Sequence, residues 1–76
     1  MLEIGGQVSE ITVRKELIHI YTGFAGGHRF SISVEKDENS TQVKEGDRVW
    51  WTGGRVLWTS ADRETEIEIE LIRYKS

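Results

Sequence analysis

The chain has no cysteine. Disulfide staples are therefore excluded, and thiolate zinc centres and iron–sulfur clusters go with them. The two histidines, His19 and His28, cannot assemble a metal site unaided, so neither a metal nor a cofactor is expected. Proline is absent as well, which leaves glycine as the main punctuation. No apolar run approaches the ~20 residues of a membrane-spanning helix. The opening Met1-Leu2-Glu3-Ile4 lacks the basic region and apolar stretch of a secretory signal. The expectation is a cytoplasmic protein without a membrane partner. An excess of positive charge is also missing: the formal net charge is −3. No global field steers this chain to phosphates, so any contact with nucleic acid must come from a local patch.

What is present is 76 residues, enough for one domain over the whole chain. That length is near the lower limit at which an apolar core alone holds a fold, and homo-oligomerisation is one way to bury more surface. Helical periodicity is weak, whereas alternation with a period of two recurs at short intervals, the mark of a small barrel or sandwich. A first strand over Gln7–Arg14 turns Ile11 and Val13 inward. A second over Leu17–Tyr21 turns Ile18 and Ile20 inward, leaving Leu17, His19 and Tyr21 outside. With Lys15-Glu16 at the turn, Val13 faces Ile18 and Ile11 faces Ile20. Lys-Glu suits a type I′ turn poorly, so a looser four-residue reversal is expected. A glycine-rich loop, Thr22–Gly27, leads to a third strand, His28–Val34, with Phe30, Ile32 and Val34 inward. The segment Glu35–Gln42 reads as a polar surface loop with room for one helical turn. The last strand, Glu66–Tyr74, alternates most cleanly: Ile67, Ile69 and Leu71 in, Glu66, Glu68 and Glu70 out.

Between these lies the stretch that carries all three tryptophans, Val49-Trp50-Trp51-Thr52-Gly53-Gly54-Arg55-Val56-Leu57-Trp58. Gly53-Gly54 supplies the positive φ of a two-residue type I′ or II′ hairpin turn. Thr52 then opposes Arg55, Trp51 opposes Val56, Trp50 opposes Leu57 and Val49 opposes Trp58. One face is wholly apolar (Val49, Trp51, Val56, Trp58) and reads as core. The other carries Arg48, Trp50, Thr52, Arg55, Leu57 and Thr59. Trp50, between two arginines, is the residue this pattern does not require for the core. Bases stack on such rings while guanidinium groups meet phosphates. Trp and Arg also dominate protein-binding hot spots. Packing under the Gly23–Gly27 loop is the third reading of the same residue.

Lys44-Glu45-Gly46-Asp47-Arg48-Val49-Trp50-Trp51, followed by Gly53 and Arg55-Val56, resembles the K-x-G-D-x-V-x-V-x-G-x-L segment of OB-fold single-stranded DNA-binding proteins. Thr65-Glu66-Ile67 resembles the T-E-I that opens that family's closing strand. Gly6-Gln7-Val8 is similar to its first strand, and Phe30-Ser31-Ile32-Ser33-Val34 to its F-x-l-x-V strand. About half the chain is covered. Only Glu35–Val43 stands where that family has a further strand and a helix, and Gly54 is an extra residue in the hairpin. The resemblance implies a pared-down OB barrel that binds single strands, with Trp50, Arg48 and Arg55 carried over as contacts.

Enzyme chemistry finds no motif. The chain has no G-x-S-x-G, no P-loop and no H-E-x-x-H, and its glycine pairs lack the strand–helix context of a phosphate cradle. The straight row Glu66, Glu68, Glu70 points its oxygens in parallel, which suits a solvated or edge-guarding face better than a cation site. The sequence therefore predicts an all-β, five- to six-stranded antiparallel barrel, OB-like or SH3-like, acting as a non-enzymatic binding module. The expected ligand is single-stranded nucleic acid, held by Trp50, Arg48 and Arg55 with His19, Tyr21, Phe24 and Arg29 from neighbouring strands and loop. The alternative is an acidic protein-interaction module that docks its partner on the Trp50 face.

Overall fold

The tryptophan hairpin is the simplest element to derive. In the computed structural model, which describes residues 3–23, 30–62 and 68–75, Gly53 and Gly54 both have positive φ, 57° and 79°. Two successive positive values define the type I′ turn, whose twist matches that of its strands. Strands β4 (Arg48–Thr52) and β5 (Arg55–Thr59) leave it. They pair Thr52 with Arg55, Trp51 with Val56, Trp50 with Leu57 and Val49 with Trp58.

Strand β1 (Glu3–Val13) is the longest and does two jobs. Its first half, Glu3–Gln7, pairs with β4, and its second half pairs with β2 (Leu17–Thr22). The register slips between Val8 and Glu10. That bulge has a purpose visible in the side chains. Val8 is buried and Ile11 packs against the same core, yet residues three apart face opposite sides of a regular strand. One inserted residue restores the parity and bends the strand around the barrel. The strand starts four residues earlier than expected because Gly5-Gly6 hides the alternation.

Ile11 pairs with Ile20 and Val13 with Ile18, as the turn at Lys15-Glu16 requires. The reversal spans Arg14–Leu17, closed by the Arg14 N–H donating to the Leu17 carbonyl at 2.9 Å. None of its residues has positive φ. Val13 does not reach the core as expected: at the strand's end it is 58% exposed. Strand β3 (Ser31–Glu35) follows, with Ile32 and Val34 buried and Phe30 packed against them.

The Glu35–Gln42 segment is more than a solvated loop. Its short 3₁₀ turn, Ser40–Gln42, seats Ser40 out of solvent, where its hydroxyl donates to the Glu35 carbonyl at 2.6 Å. Asp37 Oδ1 accepts the N–H groups of Asn39 and Ser40 at 2.9 and 2.8 Å. Lys44–Asp47 then forms a tight turn in which Gly46 takes φ of 97°, and the Asp47 N–H donates to the Lys44 carbonyl at 3.1 Å.

Strand β6 covers Ile69–Leu71, shorter than the Glu66–Tyr74 expected; Glu66 and Ile67 lie outside the described residues. The sheet order is β3-β2-β1-β4-β5-β6, antiparallel throughout. Just beyond β6 the chain meets β3 again. Val34 bridges Arg73, the Glu35 N–H donates to the Ile72 carbonyl at 2.7 Å, and the Tyr74 N–H donates to the Ser33 carbonyl at 2.9 Å. The result is a nearly closed six-stranded barrel. Its interior holds Val8, Ile18, Ile20, Ile32, Val34, Val43, Val49, Val56, Trp58 and Leu71. No helix among the described residues is long and apolar enough to cross a membrane.

Candidate nucleic-acid interface

The outer face of β4–β5 holds the residues singled out from sequence, and of the readings open for Trp50 its burial agrees with packing. Trp50 is only 7% exposed, and its cross-strand neighbour Leu57 is equally buried. Both belong to the face opposite the barrel core, so they form a second, smaller apolar layer. The Arg48 guanidinium carbon lies 5.0 Å from the centroid of the Trp50 ring, a cation–π contact. Arg55 donates from Nε to Glu70 Oε2 at 2.7 Å. That hydrogen bond, and the charge behind it, raises the guanidinium above its ordinary pKa. Lys44 is likewise raised by its hydrogen bond to Asp62. Trp50, Arg48 and Arg55 therefore share one face, but as a packed residue and two engaged cations. At 7% exposure the Trp50 ring shows little of its area to solvent.

The expected partners of that face divide in two. Phe24 and Arg29 lie outside the described residues, which omit 24–29. His19 and Tyr21 sit on the outer face of β2, their ring centroids 6.4 Å apart and tilted by 35°. Both are half-buried. Across the ladder, His19 pairs with Ser33 and Tyr21 with Ser31. His19 Nδ1 and Ser33 Oγ are hydrogen-bonded at 2.7 Å, which fixes the imidazole against β3.

Next to Ser31 and Ser33, at the mouth of the barrel, lies a cleft of about 210 Å³ lined by Ser31, Ile32, Ser33, Trp51, Arg73 and Tyr74. Trp51 is the tryptophan that is half-exposed, although its parity is that of the core. It stands one residue from the hairpin turn, where the interior runs out. Arg73 leans on it, the guanidinium carbon 5.0 Å from the indole centroid. Sequence reasoning passed over Arg73, Tyr74 and the role of Trp51. A signal was available: Arg73 continues the inward parity of Ile67, Ile69 and Leu71. A charge at an inward position belongs where a barrel opens to water.

Trp51 and Trp58 are opposites in one respect. The Trp58 indole N–H donates to Asp47 Oδ2 at 2.9 Å. The Trp51 Nε1 is buried with no hydrogen-bond partner among the described residues. Leaving a buried donor unmatched costs roughly 1–3 kcal/mol. Trp51→Phe, which deletes that donor along with some packing, should change stability by no more than about 1 kcal/mol in either direction. Trp58→Phe, which strands a carboxylate lone pair, should cost about 1–3 kcal/mol. Urea unfolding of the two variants side by side measures the difference. Equal losses would show that the hydrogen bonds do not distinguish the rings.

No protein-family model, curated protein sequence or solved structure matches this chain. Its function is therefore read from this surface.

Proposed function

We propose that this barrel is a non-enzymatic module for single-stranded nucleic acid. Its contact surface is the outer face of β2–β3 together with the mouth cleft, in place of the β4–β5 face. The observation that carries the reading is Arg73 lying over half-exposed Trp51 in an open cleft, beside Tyr74 and next to the His19–Tyr21 pair. Rings and a guanidinium in series make a stacking track for unpaired bases. The OB-like segments noted in the sequence support it, since OB barrels receive oligonucleotides on the face of their second and third strands.

With a formal charge of −3 and one arginine in the cleft, stacking supplies most of the affinity. Salt should then weaken binding only mildly, with a log–log slope near −0.7 for one neutralised phosphate on a single strand. Titrating labelled oligothymidine at low salt should raise its anisotropy and quench tryptophan fluorescence. The quench should persist in Trp50→Phe and vanish in Trp51→Phe. A flat anisotropy with folded protein sinks the proposal. The net negative charge favours a protein partner as the second reading, and a flat titration would transfer the surface to it.

A further inference from the structure

The mouth cleft has a donor set that the stacking track alone does not explain. Resting on the nucleic-acid reading above, we propose that it is a one-nucleotide site. Arg73 takes a phosphate, with Ser31 at the rim of the cleft, and the rings of Trp51 and Tyr74 take the adjoining base.

The first argument is chemical. The lining residues are an arginine, two serines, an isoleucine and two aromatics, with no acidic residue among the described residues. The chain carries 13 acidic residues against 10 lysines and arginines, so a lining with a cation and no acid runs against the composition. Such a set receives an anion. Arg73 has no ion pair among the described residues, unlike Arg55 with Glu70 and Lys44 with Asp62. Stacking on Trp51 uses the flat face of its guanidinium and leaves the in-plane N–H donors for a phosphate.

Backbone geometry sets where Ser31 lies. The Tyr74 N–H reaches the Ser33 carbonyl, so the peptide groups of Ser33 turn toward the closing segment. By the period of a strand, those of Ser31 turn the same way. Among the described residues the last bond of the closure is the one at Ser33, with Ser31 beyond it at the cleft. The Ser33 hydroxyl is engaged by His19 at 2.7 Å, which leaves Ser31 as the serine that serves the cleft.

Size sets the number of units. About 210 Å³ is below the ~300 Å³ at which pockets for drug-sized molecules begin. That is room for one base and its phosphate.

A nucleotide arrives either within a strand or free, and competition separates the two. The probe is labelled oligothymidine bound to the full chain, challenged with thymidine 5′-monophosphate or with thymidine. The monophosphate should displace it at millimolar concentration, with thymidine at least about tenfold weaker, since a charge-assisted bond is the difference. Arg73→Ala, checked by its urea midpoint, should weaken the oligonucleotide about tenfold and flatten the salt slope by about 0.7. Ser31→Ala, on an exposed position, should weaken it in the same direction.

Wild-type affinity and slope in Arg73→Ala, or equal competition by thymidine, would overturn the one-nucleotide site while leaving strand binding intact. A monophosphate that binds as tightly as the oligonucleotide keeps the site and retires the strand reading. Oligonucleotide binding absent from the wild type removes both.

Discussion

Replacing Asp47 with alanine should remove about 3–5 kcal/mol of folding stability, the sum of the hydrogen bonds lost. Asp47 has no exposed surface, yet it is a charged residue in a barrel with few resources. Its carboxylate accepts three N–H groups. Oδ2 takes the Trp58 indole at 2.9 Å and the Lys44 backbone at 3.1 Å, and Oδ1 takes the Ala61 backbone at 3.0 Å. One side chain thus ties the turn before β4 to the end of β5 and to the turn that follows. Desolvating a carboxylate is costly, and only several strong donors offset it. Truncation to alanine removes the carboxylate that accepts the Trp58 indole N–H in the core. A domain of this length holds roughly 4–11 kcal/mol in total, so the loss reaches the scale of the whole fold. Asp47→Asn keeps one acceptor oxygen and should fall about midway. Urea unfolding followed by tryptophan fluorescence measures both. An alanine variant within 1 kcal/mol of wild type would falsify the role given to the carboxylate.

The same residue shows how far sequence reasoning reached. Gly46-Asp47 lies in the segment that resembles a family motif, and the structure gives those two residues local work. Gly46 supplies a positive φ for the turn, and Asp47 pins three segments. The motif is legible as a way to start a strand whatever the barrel binds. The hairpin register was legible too, because Gly53-Gly54 admits one compact turn and the turn dictates every pair after it. The all-β class followed from alternation.

What alternation cannot report is depth. It places a side chain on one face of a strand but not along the barrel axis. Val13 and Trp51 both have inward parity, and both stand near strand ends where the interior opens. Nor does it tell whether an outer face is itself covered. Alternation puts Trp50 opposite the core and leaves open whether it is a surface contact or packs under a loop. In the folded chain Trp50 and Leu57 make a second apolar layer, and the arginines beside them have other engagements. The candidate site accordingly moved from a face chosen by composition to a cleft assembled from β3, β4 and the segment after β6. Only tertiary closure brings Ser31, Trp51 and Arg73 together. The legible trace of that closure was a single charge out of phase.

Gly5→Ala should be as damaging as the loss of Asp47 for a reason that has nothing to do with hydrogen bonds. Gly5 pairs with Trp50 across the β1–β4 ladder. A Cβ built there would overlap the Val49 carbonyl oxygen and the Trp50 Cα, and would lie 2.5 Å from the Trp50 Cβ. The first two are backbone atoms, which cannot swing aside as a flexible side-chain tip does. The strands must separate, and the Glu3–Gln7 half of the ladder separates with them. Overpacking typically costs 1–3 kcal/mol where side chains absorb it; here the backbone must move, and about 3 kcal/mol or more is expected. Gly6 is the internal control. Its nearest contact for an added Cβ is the Thr22 Cβ at 3.8 Å, an ordinary van der Waals distance, and its φ is not positive. Gly6→Ala should be neutral or should stabilise by about 0.4–1 kcal/mol, because alanine has fewer unfolded conformations to lose. Two neighbouring glycines, identical to any reading of composition, should thus respond with opposite signs. Urea midpoints decide the sign, and hydrogen exchange at the β4 amides locates the damage. If Gly5→Ala matches wild type in both, β1 does not approach β4 as closely as described, and the packing of Trp50 needs another cause.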